Sequence, residues 1–137
     1  MKLTNVNDQE LKQILAESKR IAVVGLSNKP ERTSYQVAKY MQEAGYEIIP
    51  VNPTITESLG QKAYPSLKEI PGQVDIVNVF RRSEDTVGPA REAVAIGAKV
   101  LWLQLGIANE EAFQIADQAG LKVVMDRCIK VEHARLL

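Results

Sequence analysis

The chain has 137 residues, enough for one domain with its own core and too few for two. Hydrophobic residues at 45% and charged residues at 25% exclude the disordered and fibrous classes. Seventeen Lys and Arg against seventeen Asp and Glu leave no net charge, which speaks against a sequence-blind binder of nucleic acid or of an anionic membrane.

One cysteine (Cys128) and one histidine (His133) can form neither an internal disulfide nor a zinc set of ordinary spacing. The opening Met1-Lys2-Leu3-Thr4-Asn5 lacks the apolar stretch of a signal peptide. No apolar run nears the roughly 18–20 residues that span a bilayer. These features predict a soluble, cytoplasmic protein.

Asn7 and Glu10, three apart, read as a capping box ahead of Leu11, Ile14 and Leu15 at helical spacing. Ile21-Ala22-Val23-Val24, stopped by Gly25, reads as a strand buried on both faces. Residues 34–44 predict a helix with Val37, Ala38 and Met41 inward and Gly45 as its stop. A second strand follows over 46–51, closed by Asn52-Pro53, and Ser66 with Glu69 suggests a capped helical turn. The third strand is expected over 74–80, a helix after Arg81-Arg82 running to Ile96, and a fourth strand over 99–105. Asn109 caps a helix over 110–119, and the fifth strand spans 121–125. The tail from Asp126 is irregular or a short helix.

Five strands alternating with helices predict an α/β fold, a three-layer, doubly wound parallel five-stranded sheet with helices on both faces. The expected strand order is 3-2-1-4-5, with 2-1-3-4-5 as the alternative. In the first order the topological switch point, where ligands bind in such sheets, falls between strands one and four.

The turn after the first strand, Gly25 to Ser34, keeps only the first glycine of a G-x-G-x-x-G fingerprint, with Ser27 and Pro30 in the other two places. It still offers backbone N–H groups at a helix start, the hydroxyls of Ser27, Thr33 and Ser34, and the cations of Lys29 and Arg32. That set suits a phosphate; its plainer reading is a polar turn with Ser34 as N-cap. Asn52-Pro53 stands where a dinucleotide enzyme presents an acidic residue to the ribose, so it either contacts a base or sugar or simply starts a turn.

Phe80-Arg81-Arg82 ends the third strand, with Phe80 suited to stack on a base. Its arginines either bind a polyanion or pair with Glu84 and Asp85. On the fourth strand Trp102 reads as core, while Gln104 and Gly106 lie nearer the crevice. Cys128, after the fifth strand, is either a small buried apolar group or a thiol at the ligand edge. His133 reads as a surface residue, and no catalytic set is evident.

Taken together these strand ends resemble the CoA-binding family, whose Rossmann-like domain also forms the N-terminal part of the succinyl-CoA synthetase α subunit. The resemblance rests on Val23 to Ser27, Pro30 to Ser34, Tyr46 to Pro53, Val79 to Ser83, Lys99 to Ile107 and Val123 to Cys128. It implies a single Rossmann-like domain over 1–137 that binds coenzyme A or an acyl-CoA. Gly25, Ser27, Arg32 and Ser34 would cradle the pyrophosphate. Asn52 and Pro53 would lie beside the adenosine, Phe80 and Arg81 on the opposite wall, and Gln104 and Gly106 near the pantetheine arm. The synthetase lysine after the Asn-Pro pair is replaced by Thr54-Ile55-Thr56, which leaves the 3′-phosphate to Lys29 or Arg32 or to no partner. The synthetase's phosphorylated histidine belongs to another domain, so His133 inherits no catalytic role.

The leading expectation is therefore a non-catalytic, nucleotide-binding module for CoA. The alternatives are an NAD(P)-linked oxidoreductase or reductase, and an interaction protein that keeps the fold without a ligand. A small sheet with an exposed edge also leaves a homodimer open.

Overall fold

The computed structural model describes residues 1–137. Helix α1 (Asp8–Glu17) starts at the expected capping box. Asn7 Oδ1 accepts from the Glu10 N–H at 2.8 Å, and Glu10 Oε1 accepts from the Asn7 N–H at 3.3 Å. Strand β1 (Arg20–Val24), helix α2 (Thr33–Glu43) and strand β2 (Glu47–Val51) follow. A small antiparallel hairpin, β3 (Glu57–Ser58) and β4 (Gln61–Lys62), was not expected; its strands are too short to show an alternating pattern. Ser66 opens the anticipated turn, Leu67–Glu69, but through its backbone carbonyl rather than a side-chain cap.

Next come β5 (Ile76–Val79), α3 (Val87–Ala95), β6 (Val100–Leu103), α4 (Glu110–Gln118), β7 (Lys122–Val124) and α5 (Ile129–Leu136). The helix expected after Arg82 is split into a 3-10 turn, Ser83–Asp85, and α3. Pro89 explains the break, because its ring would collide with the Asp85 carbonyl in one continuous helix. Asn109 caps α4 as expected, accepting from the Ala112 N–H at 2.9 Å.

The fold is the expected doubly wound α/β sheet, five parallel strands between two helical layers. Side chains alternate along every strand. Ile21, Val23, Ile48, Ile76, Val100 and Trp102 face α1, α2 and α5. Ala22, Val24, Val77, Val79, Leu101 and Leu103 face α3 and α4.

The strand order corrects the leading expectation. It is β2-β1-β5-β6-β7, the 2-1-3-4-5 alternative rather than 3-2-1-4-5. β5 pairs on both sides, with β1 and with β6, as a central strand must. β2 contains Pro50, whose missing N–H is tolerated at an edge. The switch point therefore lies between β1 and β5.

Both sheet edges are bridged by the chain itself, by Thr4 against Val124 and by Tyr64 against Val51. The open edge that suggested a homodimer is thus covered. No helix is long and apolar enough to cross a membrane.

Asp75 fixes β5 against β1 at the far end of the sheet. Its carboxylate accepts from the backbone N–H groups of Lys19 at 2.9 Å and Arg20 at 3.0 Å, with the Lys99 ammonium 3.6 Å away. Burial acts to raise its pKa, but the Arg20 and Lys19 N–H groups and the Lys99 charge prevail and hold it below the usual aspartate value. A lowered folded-state pKa means stability that is complete above the unfolded pKa, about 4, and lost as pH falls through the lowered value. Asp75→Ala should destabilise by about 1–3 kcal/mol at pH 7 in urea unfolding, with the gap from the parent narrowing below pH 4.

Candidate functional site

The loops at the carboxyl ends of β1, β2, β5 and β6 converge on the switch point. Their backbones are laced together: the Gly25 N–H donates to Val51 O and the Phe80 N–H to Val24 O, both at 2.8 Å. Gly25 has φ +87°, and a Cβ there would stand 2.2 Å from the Phe80 carbonyl oxygen and 3.5 Å from Arg81 Nε. Only glycine lets β1 and β5 close at this point.

The Gly25–Ser34 loop is held from inside. The Ser27 N–H donates to Ser34 Oγ at 3.1 Å, the Lys29 N–H to Ser27 Oγ at 3.0 Å, and Ser58 Oγ, from the hairpin, to Ser27 O at 2.8 Å. Helix α2 begins at Thr33, with Arg32 rather than Ser34 at the N-cap and no side-chain cap. The first-turn N–H groups of Thr33, Ser34 and Tyr35 meet no acceptor within the protein. Neither does the N–H of Leu26, a residue with 0% exposure. An orphaned buried backbone donor is rare in a folded protein, and here it sits beside an uncapped helix start.

Asn52 makes the turn that is one of its two expected readings. Its Nδ2 donates to Leu26 O at 3.1 Å while its Oδ1 accepts from the N–H and hydroxyl of Thr54 at 3.0 and 2.7 Å. The side chain ties the end of β2 to the loop after β1, and Pro53 beside it is exposed. An aspartate could not donate to Leu26 O. Asn52→Asp should therefore destabilise by about 1–3 kcal/mol in urea unfolding, without conferring NAD binding in a titration.

Lys29, Arg32 and Arg81 are exposed, and none has a carboxylate within 4 Å. Arg82 instead pairs with Asp85 at 3.0 Å, so the two adjacent arginines divide between the two roles open to them. Arg81 separates two hollows. One, of about 470 Å³, is lined by Thr33, Phe80, Arg81, Gln104, Ile107 and Cys128. The other, of about 170 Å³, lies among Val24, Val51, Leu67, Pro89 and Glu92.

Gln104 is 5% exposed. Its Oε1 accepts from Asn78 Nδ2 and from the Ile129 N–H, both at 3.3 Å. A backbone N–H can only donate, so the amide orientation is fixed and Nε2 is left without a protein partner. Gly106 closes the far side, its N–H donating to Asp126 Oδ1 at 2.6 Å. Asn78, Ser58 and Asp126 were not singled out from the sequence. Asn78 alone carried a signal, as a lone amide within an apolar strand.

A larger cavity, about 660 Å³, opens at the opposite end of the sheet. Its principal charges are already paired, Lys122 with Glu10 at 3.4 Å and Lys99 with Asp75 at 3.6 Å. The orphaned N–H groups of Leu26 and of the first turn of α2 lie at the switch point.

Fold and crevice together define a Rossmann-like domain whose switch point presents unpaired hydrogen-bond donors and free cations. Residues 19–134 match the family of CoA binding domains, and the chain belongs to it. It is 60% identical over 132 residues to the uncharacterised protein YneT of Bacillus subtilis, covering 96% of this chain and 98% of that one. It is 32% identical to the α subunit of an ADP-forming acetate–CoA ligase II of Pyrococcus furiosus, over 85% of this chain but only 28% of the subunit. Among solved structures, a hypothetical protein from Pyrococcus horikoshii superposes with a TM-score of 0.93 at 43% identity, over 96% of this chain and 93% of that one.

Proposed function

We propose that this protein binds coenzyme A or an acyl-CoA across the carboxyl ends of β1, β2, β5 and β6, as a binding module without a catalytic step of its own. The observation that carries the reading is the cluster of orphaned donors, the Leu26 N–H and the uncapped first turn of α2, flanked by cations with no carboxylate partner. Oriented N–H groups at a helix start suit a pyrophosphate. Family membership supports the choice of CoA among phosphate-bearing ligands.

In this reading Gly25 gives the pyrophosphate close access to the backbone. Ser27 and Ser34 shape the loop, because their hydroxyls already accept from its N–H groups. Lys29 and Arg32 supply positive charge, including for the 3′-phosphate. Asn52 and Pro53 border the adenosine side, Asn52 by positioning the loop. Phe80 and Arg81 form the opposite wall. Gln104 Nε2, a donor with no acceptor, matches the amide carbonyls of the pantetheine arm, with Gly106 beside it.

Native mass spectrometry of the protein mixed with CoA tests the reading. A one-to-one complex is expected, depleted by high salt and by Arg32→Ala, because phosphate contacts are screened. A spectrum showing only the free protein at millimolar CoA would overturn it.

A further inference from the structure

The 470 Å³ hollow at the switch point has an apolar wall that the protein leaves uncovered. Phe80 lines it from the core beneath α2 and α5, Ile107 from the core beneath α3 and α4, and Leu105 stands beside them with 65% of its surface exposed. The chain holds Leu105 there. Residues 104–107 form a tight turn in which the Ile107 N–H donates to Gln104 O at 2.9 Å, and Gly106 supplies the positive φ, +84°, that a turn of this kind needs. Asp126 pins the turn from the next loop, its Oδ1 accepting from the Gly106 N–H and its own N–H donating to Ile107 O at 3.1 Å. A turn tip ordinarily carries a small polar residue or proline. Here a leucine is fixed on it, next to further apolar side chains and around a concavity, which is the make-up of a small-molecule site. No carboxylate lines the hollow, and of its two arginines Arg82 is paired with Asp85. Thr33, whose N–H is one of the orphaned donors of α2, also lines it, so the hollow is continuous with the anion cradle.

We infer that this hollow holds the acyl group of an acyl-CoA, and that the class it takes is an uncharged aliphatic thioester. The inference rests on the CoA reading above and goes further in naming the group carried. Free CoA ends in a single sulfur atom beyond an arm of amides, which leaves Phe80, Leu105 and Ile107 facing water. An aliphatic chain on that sulfur covers them, while the phosphates stay with the α2 N–H groups, Lys29, Arg32 and Arg81. A methylene fully removed from water contributes about fourfold in affinity, and about twofold where one side of the hollow stays open. A dicarboxylic acyl group has no such gain. Its free carboxylate would lie against apolar side chains, with Arg81 already engaged by the phosphates.

Calorimetric titration of the full-length protein with CoA, acetyl-CoA, hexanoyl-CoA and succinyl-CoA tests the inference. Hexanoyl-CoA should bind about tenfold or more tighter than acetyl-CoA, and succinyl-CoA no tighter than free CoA. Leu105→Ser should lower the hexanoyl-CoA to CoA affinity ratio by about two- to fivefold. The side chain is 65% exposed and outside the core, so this variant keeps the parent's fold. Equal affinities for hexanoyl-CoA and acetyl-CoA, succinyl-CoA as the tightest ligand, or a ratio unmoved by Leu105→Ser would overturn the acyl site. Free CoA in the same series separates the two failures. If CoA binds and the aliphatic chain adds nothing, only the acyl site falls; if neither CoA nor any thioester binds, the CoA reading falls and the acyl site with it.

Discussion

Gly25→Ala is expected to destabilise the protein by roughly 3–5 kcal/mol, combining left-handed backbone strain with a collision between strands. Gly25 has φ +87°, and the new methyl would lie 2.2 Å from the Phe80 carbonyl oxygen, which is backbone and cannot rotate away. Relief requires β1 and β5 to part at their carboxyl ends, where the loop after β1 and Arg81 meet. A loss of this size is a large share of the stability of an ordinary domain, about 5–15 kcal/mol. Gly45→Ala is the control. Its φ is +109°, but nothing lies within 4 Å of the added Cβ, so backbone strain alone should cost about 1 kcal/mol. Urea unfolding of the two variants checks the contrast; equal costs would show that the strands tolerate the methyl.

Arg81→Ala is expected to weaken CoA binding by about 10–100-fold while leaving the unfolding midpoint nearly unchanged. A hydrogen bond to a charged group contributes about 1.5–3 kcal/mol, and each 1.4 kcal/mol is tenfold in affinity. The fold loses little because the side chain is exposed and has no carboxylate partner. Arg82→Ala provides the comparison. It removes an exposed pair with Asp85, of the kind that adds little to stability, and should change affinity far less. Calorimetric titration of both variants decides between a specific wall residue and a general loss of positive charge.

Local signals were the legible part of the fold. The Asn7–Glu10 capping box, the Asn109 cap and the stops at Gly45 and Gly120 each act within a few residues, and each element formed near its expected place. Strand order was harder because it depends on pairing between distant segments. Pro50 carried the missing information. Its absent N–H marks β2 as an edge strand, and weighing it would have favoured 2-1-3-4-5. The small hairpin at 57–62 escaped for the opposite reason, having too little sequence to carry a period.

The site was legible as a place more than as a set of roles. Gly25, Arg81, Gln104 and Gly106 do converge at the strand ends, as alternation with helices requires. Asn52-Pro53 reads equally as a ligand contact or a turn; the bonds from Thr54 to Asn52 Oδ1 make the turn, while the Nδ2 bond to Leu26 O is a tertiary contact that residue type does not reveal. The neutral balance of the whole chain likewise carries no information on which cations are paired. Lys29, Arg32 and Arg81, around the switch point, have no carboxylate within 4 Å, while Arg127 and Arg135 pair with Asp8 and Glu132.

The most direct measurement is isothermal titration of the purified protein with CoA, set beside NADPH, at low and at high salt. The proposed site predicts one CoA bound per chain at micromolar or tighter affinity, weakened by salt, with little or no heat from NADPH. Binding of NADPH without CoA, or no heat from CoA at millimolar concentration, would contradict it.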